Sequence, residues 1–135
     1  MTTYAEPMLG HLANGRAATA ESTVLVIDDD PSMHDILTVL GNQHGFAVQF
    51  AEDGADGLRL AEQNDVDLIV LDLNMPGLTG FDVCRRIRGL GIEIPIIMVS
   101  ASSDPVDVVV GLEIGADDYI TKPFELRELA ARINA

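Results

Sequence analysis

Val24-Leu25-Val26-Ile27-Asp28-Asp29-Asp30-Pro31 is the stretch that decides the fold. Its four aliphatic residues, most of them β-branched, predict a strand buried on both faces. Acids then stop the strand abruptly. Asp30 before Pro31 predicts a helix start, with Asp as N-cap and Pro at the first helical position. Met33, Ile36, Leu37 and Leu40 follow at helical spacing, and Gly45 ends the helix.

The same unit recurs four more times. Strands are expected over Phe46–Phe50, Asp67–Leu71, Ile94–Val99 and Tyr119–Thr121. Helices are expected over Ala55–Gln63, over a segment marked by Val83, Cys84, Ile87 and Leu90, over Pro105–Ile114, and over a last segment lined by Leu126, Leu129, Ala130 and Ile133. Five strands alternating with five helices imply a doubly wound α/β sandwich around a five-stranded parallel sheet. Residues 1–22 show no sustained period and read as a flexible leader to a domain over residues 23–135.

In an open α/β sheet, ligands bind beyond the carboxyl ends of the strands. Those ends carry Asp28-Asp29-Asp30, Asp72, Ser100 and Thr121-Lys122-Pro123. Parallel strands place all of them on one rim. Crowded carboxylates repel unless a cation joins them. A hard cation that accepts a few carboxylates, waters and a phosphate oxygen is Mg²⁺. A carboxylate beside such an ion can act as a nucleophile toward phosphorus, with the ion and an ammonium neutralising the transferring oxygens.

The composition sets bounds on partners. The net charge is −14, so the chain repels the phosphate backbone and is expected neither to bind nucleic acid directly nor to sit on anionic membranes. No apolar run approaches the ~18 residues of a membrane span, and the first residues do not read as a signal peptide. Cys84 is the single cysteine, so no intrachain disulfide forms, in keeping with a cytoplasmic location.

The segments VLVIDDDP, LIVLDLNMPGLTG, IPIIMVSA and DDYITKPF together resemble the signature blocks of bacterial two-component response-regulator receivers, over Val24 to Ala135. The resemblance implies a (βα)5 flavodoxin-like fold and a phosphoryl group accepted on Asp72 from a sensor histidine kinase. It implies Mg²⁺ (or Mn²⁺) held by Asp29, Asp72 and the Asn74 backbone carbonyl, with Asp28 acting through a bound water. Ser100 and Lys122 would contact the phosphoryl group, and Lys122-Pro123 would be a cis peptide. Tyr119 would be the switch aromatic, and Asn74 and Ser102 would tune dephosphorylation. Beyond taking on and losing its own phosphoryl group, such a domain is not an enzyme.

The last third most resembles receivers of winged-helix (OmpR/PhoB-type) transcriptional regulators, so an output domain outside this chain would control transcription. Those receivers often form a homodimer through the fourth helix, fifth strand and fifth helix. Val106, Val109, Val110, Asp117, Asp118, Glu128 and Arg132 are the interface candidates. Val110 and Asn134 stand where basic residues are usual, so at least one ion pair of that interface is missing.

Plainer readings stand beside these. Asp30 serves as an N-cap. Asn74-Met75-Pro76-Gly77 would make a turn without any function. Tyr119 could be an ordinary strand aromatic and Ser100 a strand-end cap. His11, His34 and His44 read as surface residues, and Cys84 as an inert packing residue. A stand-alone receiver is the nearest alternative. A haloacid-dehalogenase-like phosphatase would need an acid where Asn74 stands, and a flavodoxin-like cofactor carrier would meet three repelling acids.

Overall fold

The computed structural model describes residues 22–63, 65–102 and 104–134; the leader other than Ser22, and His11 with it, lie outside them. The strands are β1 (Ser22–Ile27), β2 (Phe46–Ala51), β3 (Leu68–Asp72), β4 (Ile96–Ser100) and β5 (Asp118–Thr121). The helices are α1 (Pro31–His44), α2 (Gly54–Gln63), α3 (Gly80–Gly89), α4 (Pro105–Ile114) and α5 (Leu126–Ile133). All strand pairs are parallel, in the order β2-β1-β3-β4-β5. No helix among the described residues is long and apolar enough to cross a membrane.

Alternation along each strand divides the interior into two cores. Leu25, Ile27, Ile69, Leu71 and Met98 face α2, α3 and α4. Val24, Val26, Leu68, Val70, Ile97 and Val99 face α1 and α5, packing on Met33, Leu37, Leu129 and Ile133. With helices on both faces, these strands carry no polar side until their last residues. The functional groups therefore gather at the rim.

Local chemistry sets the element ends. Asp30 accepts from the Ser32 amide at 3.0 Å, as its N-cap reading expects, and Gly45 closes α1 in the left-handed region at φ 82°. Thr79 and Asp82 form a capping box at α3. Asp104 caps α4 through the Val106 amide.

Several expected boundaries shift. β4 begins two residues after Ile94, because Pro95 has no amide hydrogen; its carbonyl still accepts from the Ile69 amide at 2.9 Å. β3 begins one residue later than expected and runs through Asp72, because Asp67 instead turns its carboxylate to the Thr23 amide. Leu90 is not on the buried stripe of α3 but caps it, 53% exposed. Leu126 likewise faces solvent at the start of α5. His34 is not a bare surface residue: it is half-buried and stacked on Phe50, with ring centroids 5.0 Å apart.

Arg88 braces the opposite end of the sheet. Its guanidinium donates to the carbonyls of Ile92, Ile94 and Gly115 and to Asp117, whose carboxylate also accepts from the Ile96 amide.

Gly80 lets α3 approach the end of β3. A Cβ there would lie 2.5 Å from the Asp72 carbonyl oxygen and 2.7 Å from the Leu73 Cα, both backbone atoms that cannot yield cheaply. Gly80→Ala is expected to destabilise the chain by about 1–3 kcal/mol. Gly89→Ala, where nothing lies within 4 Å, should be neutral or slightly stabilising. Urea unfolding of the two variants against the parent checks both.

Candidate functional site

The carboxyl rim of the sheet brings Asp28, Asp29 and Asp72 together, with one carboxylate oxygen of each within 4.8 Å of the others. Asp28 and Asp72 are only 1% and 4% exposed, whereas Asp29 faces solvent. Backbone holds the two buried acids. The Asp28 amide donates to the Ala51 carbonyl, and its Oδ1 accepts from the Asp30 amide at 2.9 Å. Asp72 stays in register with Val99, and its Oδ1 accepts from the Asn74 amide at 3.3 Å.

Lys122 enters from the end of β5. Its Nζ lies 3.4 Å from Asp28 Oδ2 and 3.8 Å from Asp72 Oδ1. The Lys122 amide donates to the Ser100 carbonyl, extending the β4–β5 ladder into the site, and the Lys122-Pro123 peptide is cis, as expected. Ser100 is fully buried. Its Oγ accepts from Asn74 Nδ2 at 3.2 Å and from the Ser102 amide at 3.1 Å. Asn74 therefore touches both Asp72 and Ser100, although 26 residues separate it from the latter.

Three carboxylates facing one ammonium leave two uncompensated negative charges. The strain appears at Asp28. Burial pushes its carboxyl above the usual range, the Asp30 amide pulls it back, and the Asp72 charge raises it further. A hard divalent cation fits this all-oxygen donor set and its charge. Asp28, Asp29 and Asp72 would hold it. Cys84, the soft donor, is buried against α3 neighbours outside the cluster.

Tyr119 is buried among the α2–α4 core, and its hydroxyl donates to the Ser102 carbonyl at 3.0 Å. The interface candidates fall into two groups. Val106, Val109 and Val110 stand exposed on α4. Of the charged ones, Asp118 pairs with Arg132 at 3.0 Å and Asp117 with Arg88 at 3.1 Å within the chain, while Glu128 faces solvent.

Sequence reasoning missed Asp107, which accepts from Ser102 Oγ at 2.6 Å, and Arg88. Asp107 could have been noticed as the lone polar residue inside PVDVVV. Arg88 had no signal, because most of its acceptors are backbone carbonyls, and Gly115 and Asp117 are brought near only by the fold.

Residues 24–134 match the family model described as the response regulator receiver domain. The DNA-binding response regulator MtrA of Mycolicibacterium smegmatis is 45% identical over 117 residues, which cover 87% of this chain and 51% of that protein. The alkaline phosphatase synthesis transcriptional regulatory protein SphR of Synechococcus elongatus is 43% identical, over 88% of this chain and 50% of its own length. The chain thus spans about half the length of these curated relatives. Among solved structures, the Francisella response regulator 1452 receiver domain superposes with a TM-score of 0.79 at 36% identity, covering 84% of this chain and 93% of that one. The Vibrio cholerae chemotaxis protein CheY4 gives 0.78 at 29% identity, covering 84% and 97%. Fold, rim and sequence agree: the chain belongs to the response regulator receiver domain family.

Proposed function

We propose that this chain accepts a phosphoryl group on Asp72 from a sensor histidine kinase and uses it to shift the α4-β5-α5 face between two arrangements. The observation that carries this reading is the convergence of Asp28, Asp29, Asp72 and Lys122 on one rim, with Ser100 and Asn74 bonded to each other beside them. The work belongs in the cytoplasm. Relatives that are DNA-binding and transcriptional regulators support transcription control through a part of the protein outside this chain.

A carboxylate oxygen of Asp72 forms the new bond to phosphorus as the phosphorus–nitrogen bond of the donor phosphohistidine breaks. The electron pair stays with the imidazole nitrogen. Asp29, Asp72 and the Asn74 carbonyl, with Asp28 through a water, would hold Mg²⁺ or Mn²⁺, which would supply positive charge beside the transferring oxygens. Lys122 supplies a second positive charge from the β5 side. Its ammonium, already near Asp72, would shift from carboxylate to phosphoryl oxygens.

Ser100 then donates its hydroxyl proton to a phosphoryl oxygen, an acceptor absent before phosphorylation. That differential contact biases the equilibrium, with Tyr119 following Ser100. Water later hydrolyses the acyl phosphate. Asn74 and Ser102 flank its approach, and both are small enough to leave the phosphorus reachable. Homodimerisation through α4, β5 and α5 would use the exposed Val106, Val109 and Val110. Its ion pairs would require Asp118 and Arg132 to leave each other, which makes an apolar contact the better-supported form.

A cleft of about 570 Å³ opens beside Lys122, lined by Met33, Ile36, Pro123, Phe124 and Leu126. Its size and apolar walls suit a helix of the donor laid along it.

Incubation with acetyl phosphate and Mg²⁺ should add the mass of one phosphoryl group to the wild-type chain and none to Asp72→Ala. Labelling of both, or of neither, contradicts the assignment. Lys122→Ala should lose roughly 10²-fold in the labelling rate. Leu126→Asp charges the cleft without touching the rim. It should slow transfer from a phosphorylated kinase about tenfold or more while leaving acetyl phosphate labelling within about twofold. Equal losses from both donors would remove the cleft from the account.

A further inference from the structure

α4 is held unusually lightly. Gly111 is its only fully buried residue, and Val106, Val109 and Leu112 face solvent. At Gly111 the helix comes close to β4 and β5: a Cβ there would meet Met98 Sδ at 2.9 Å and Tyr119 Cδ2 at 3.4 Å. In the first turn only the half-buried Val108 packs against the core, so polar contacts share in placing it.

Those contacts run through Ser102. Its Oγ donates to Asp107 Oδ2 at 2.6 Å and accepts from the Asp104 amide at 3.2 Å. Its amide donates to Ser100 Oγ, and its carbonyl accepts from the Tyr119 hydroxyl. One residue thus joins the hydroxyl at the rim, the buried tyrosine and the start of α4.

Asp107 is not needed as a cap. Asp104 already fills that place. In an ordinary capping box, the carboxylate at the third helical position reaches back to the cap residue's own amide. Here that amide goes to Ser102 Oγ, and Asp107 takes the Ser102 proton instead. A serine hydroxyl has a single proton, and a bond to a carboxylate is charge-assisted, so this contact fixes the Ser102 side chain.

We propose that Asp107 is a positioning residue for the switch: by accepting the Ser102 hydroxyl proton it sets the β4–α4 connection so that the Ser102 carbonyl meets Tyr119, holding the ring buried before any phosphoryl group arrives. This rests on the reading of Ser100 and Tyr119 as the responding pair. Its consequence is a phosphoryl-competent arrangement already populated in the unphosphorylated chain. Removing the contact lowers that population and weakens binding of a phosphoryl analogue in proportion.

Tyr4 and Tyr119 are the only tyrosines and there is no tryptophan, so a Tyr4→Phe parent reports on Tyr119 alone. Two readouts apply: acrylamide quenching of its fluorescence, and titration with beryllofluoride in Mg²⁺. Asp107→Ala should raise the quenching constant at least about twofold and weaken beryllofluoride binding roughly ten- to a hundredfold, the range of one charge-assisted hydrogen bond. Ser102→Ala should do the same, and the double variant no more than either. Asp107→Asn keeps an acceptor oxygen without the charge and should recover part of the loss, falling clearly between Asp107→Ala and the parent, which a general loss of packing would not allow.

Parent-like values for Asp107→Ala, or effects of the two alanine variants that simply add, overturn the proposal while leaving the phosphoacceptor reading intact. A parent that fails to bind beryllofluoride overturns both. If Asp107→Ala does not fold, Ser102→Ala against Asp107→Asn carries the same comparison: the first should depart from the parent well beyond the second.

Discussion

Two carboxylates, Asp28 and Asp72, are buried within reach of each other at the end of a sheet that offers them one ammonium. Nearly everything distinctive about the molecule follows from that constraint. Charges out of water are costly unless paired: burial first, and the Asp72 charge after it, push the Asp28 carboxyl above its usual range. The acids cannot relax apart, because backbone amides hold both: those of Asp30 and Asn74 bond their carboxylates, and each backbone continues the ladder of a fully buried strand. The rim is thereby poised to receive positive charge, and then a phosphoryl group with more positive charge around it.

A continuous chain of contacts leads away from the rim. Ser100 and Asn74 are bonded across the site, Ser102 is bonded to Ser100, and Tyr119 to Ser102. The chain of contacts leads to α4, which buries least and exposes most aliphatic surface. A weakly seated helix with an apolar outer face is suited to respond to a small shift at its first turn. The opposite end of the sheet is built differently. There Arg88 ties the connections before β4 and β5 with several hydrogen bonds.

Much of this was legible in the sequence for a physical reason. Strands buried on both faces must be apolar to their ends, so the first polar residue after each run marks the rim. That rule pointed to Asp28, Asp72 and Ser100 without any coordinates, and to Thr121 with Lys122 next to it. Caps were equally readable where their chemistry is local, at Asp30-Pro31 and Gly45. Contacts set by tertiary structure were not readable. Nothing in the sequence says that Asn74 donates to Ser100, that Asp107 accepts from Ser102, or that Arg88 finds three carbonyls. Exposure at helix ends also failed: Leu90 and Leu126 fit a helical period but lie where the helix has already left the core. Pro95 moved a strand boundary that hydrophobicity alone could not place.

The central claim is that the rim is repulsive when empty and is relieved by a divalent cation. Thermal unfolding of wild type and Asp72→Asn across a Mg²⁺ titration tests it most directly. Wild type should gain stability with Mg²⁺ and reach about 2.7 kcal/mol once the ion is a hundredfold above its dissociation constant. Asp72→Asn should start more stable than wild type without Mg²⁺ and gain much less from it. A wild-type melting temperature indifferent to Mg²⁺, or an Asp72→Asn variant that starts less stable and gains as much, would contradict the account.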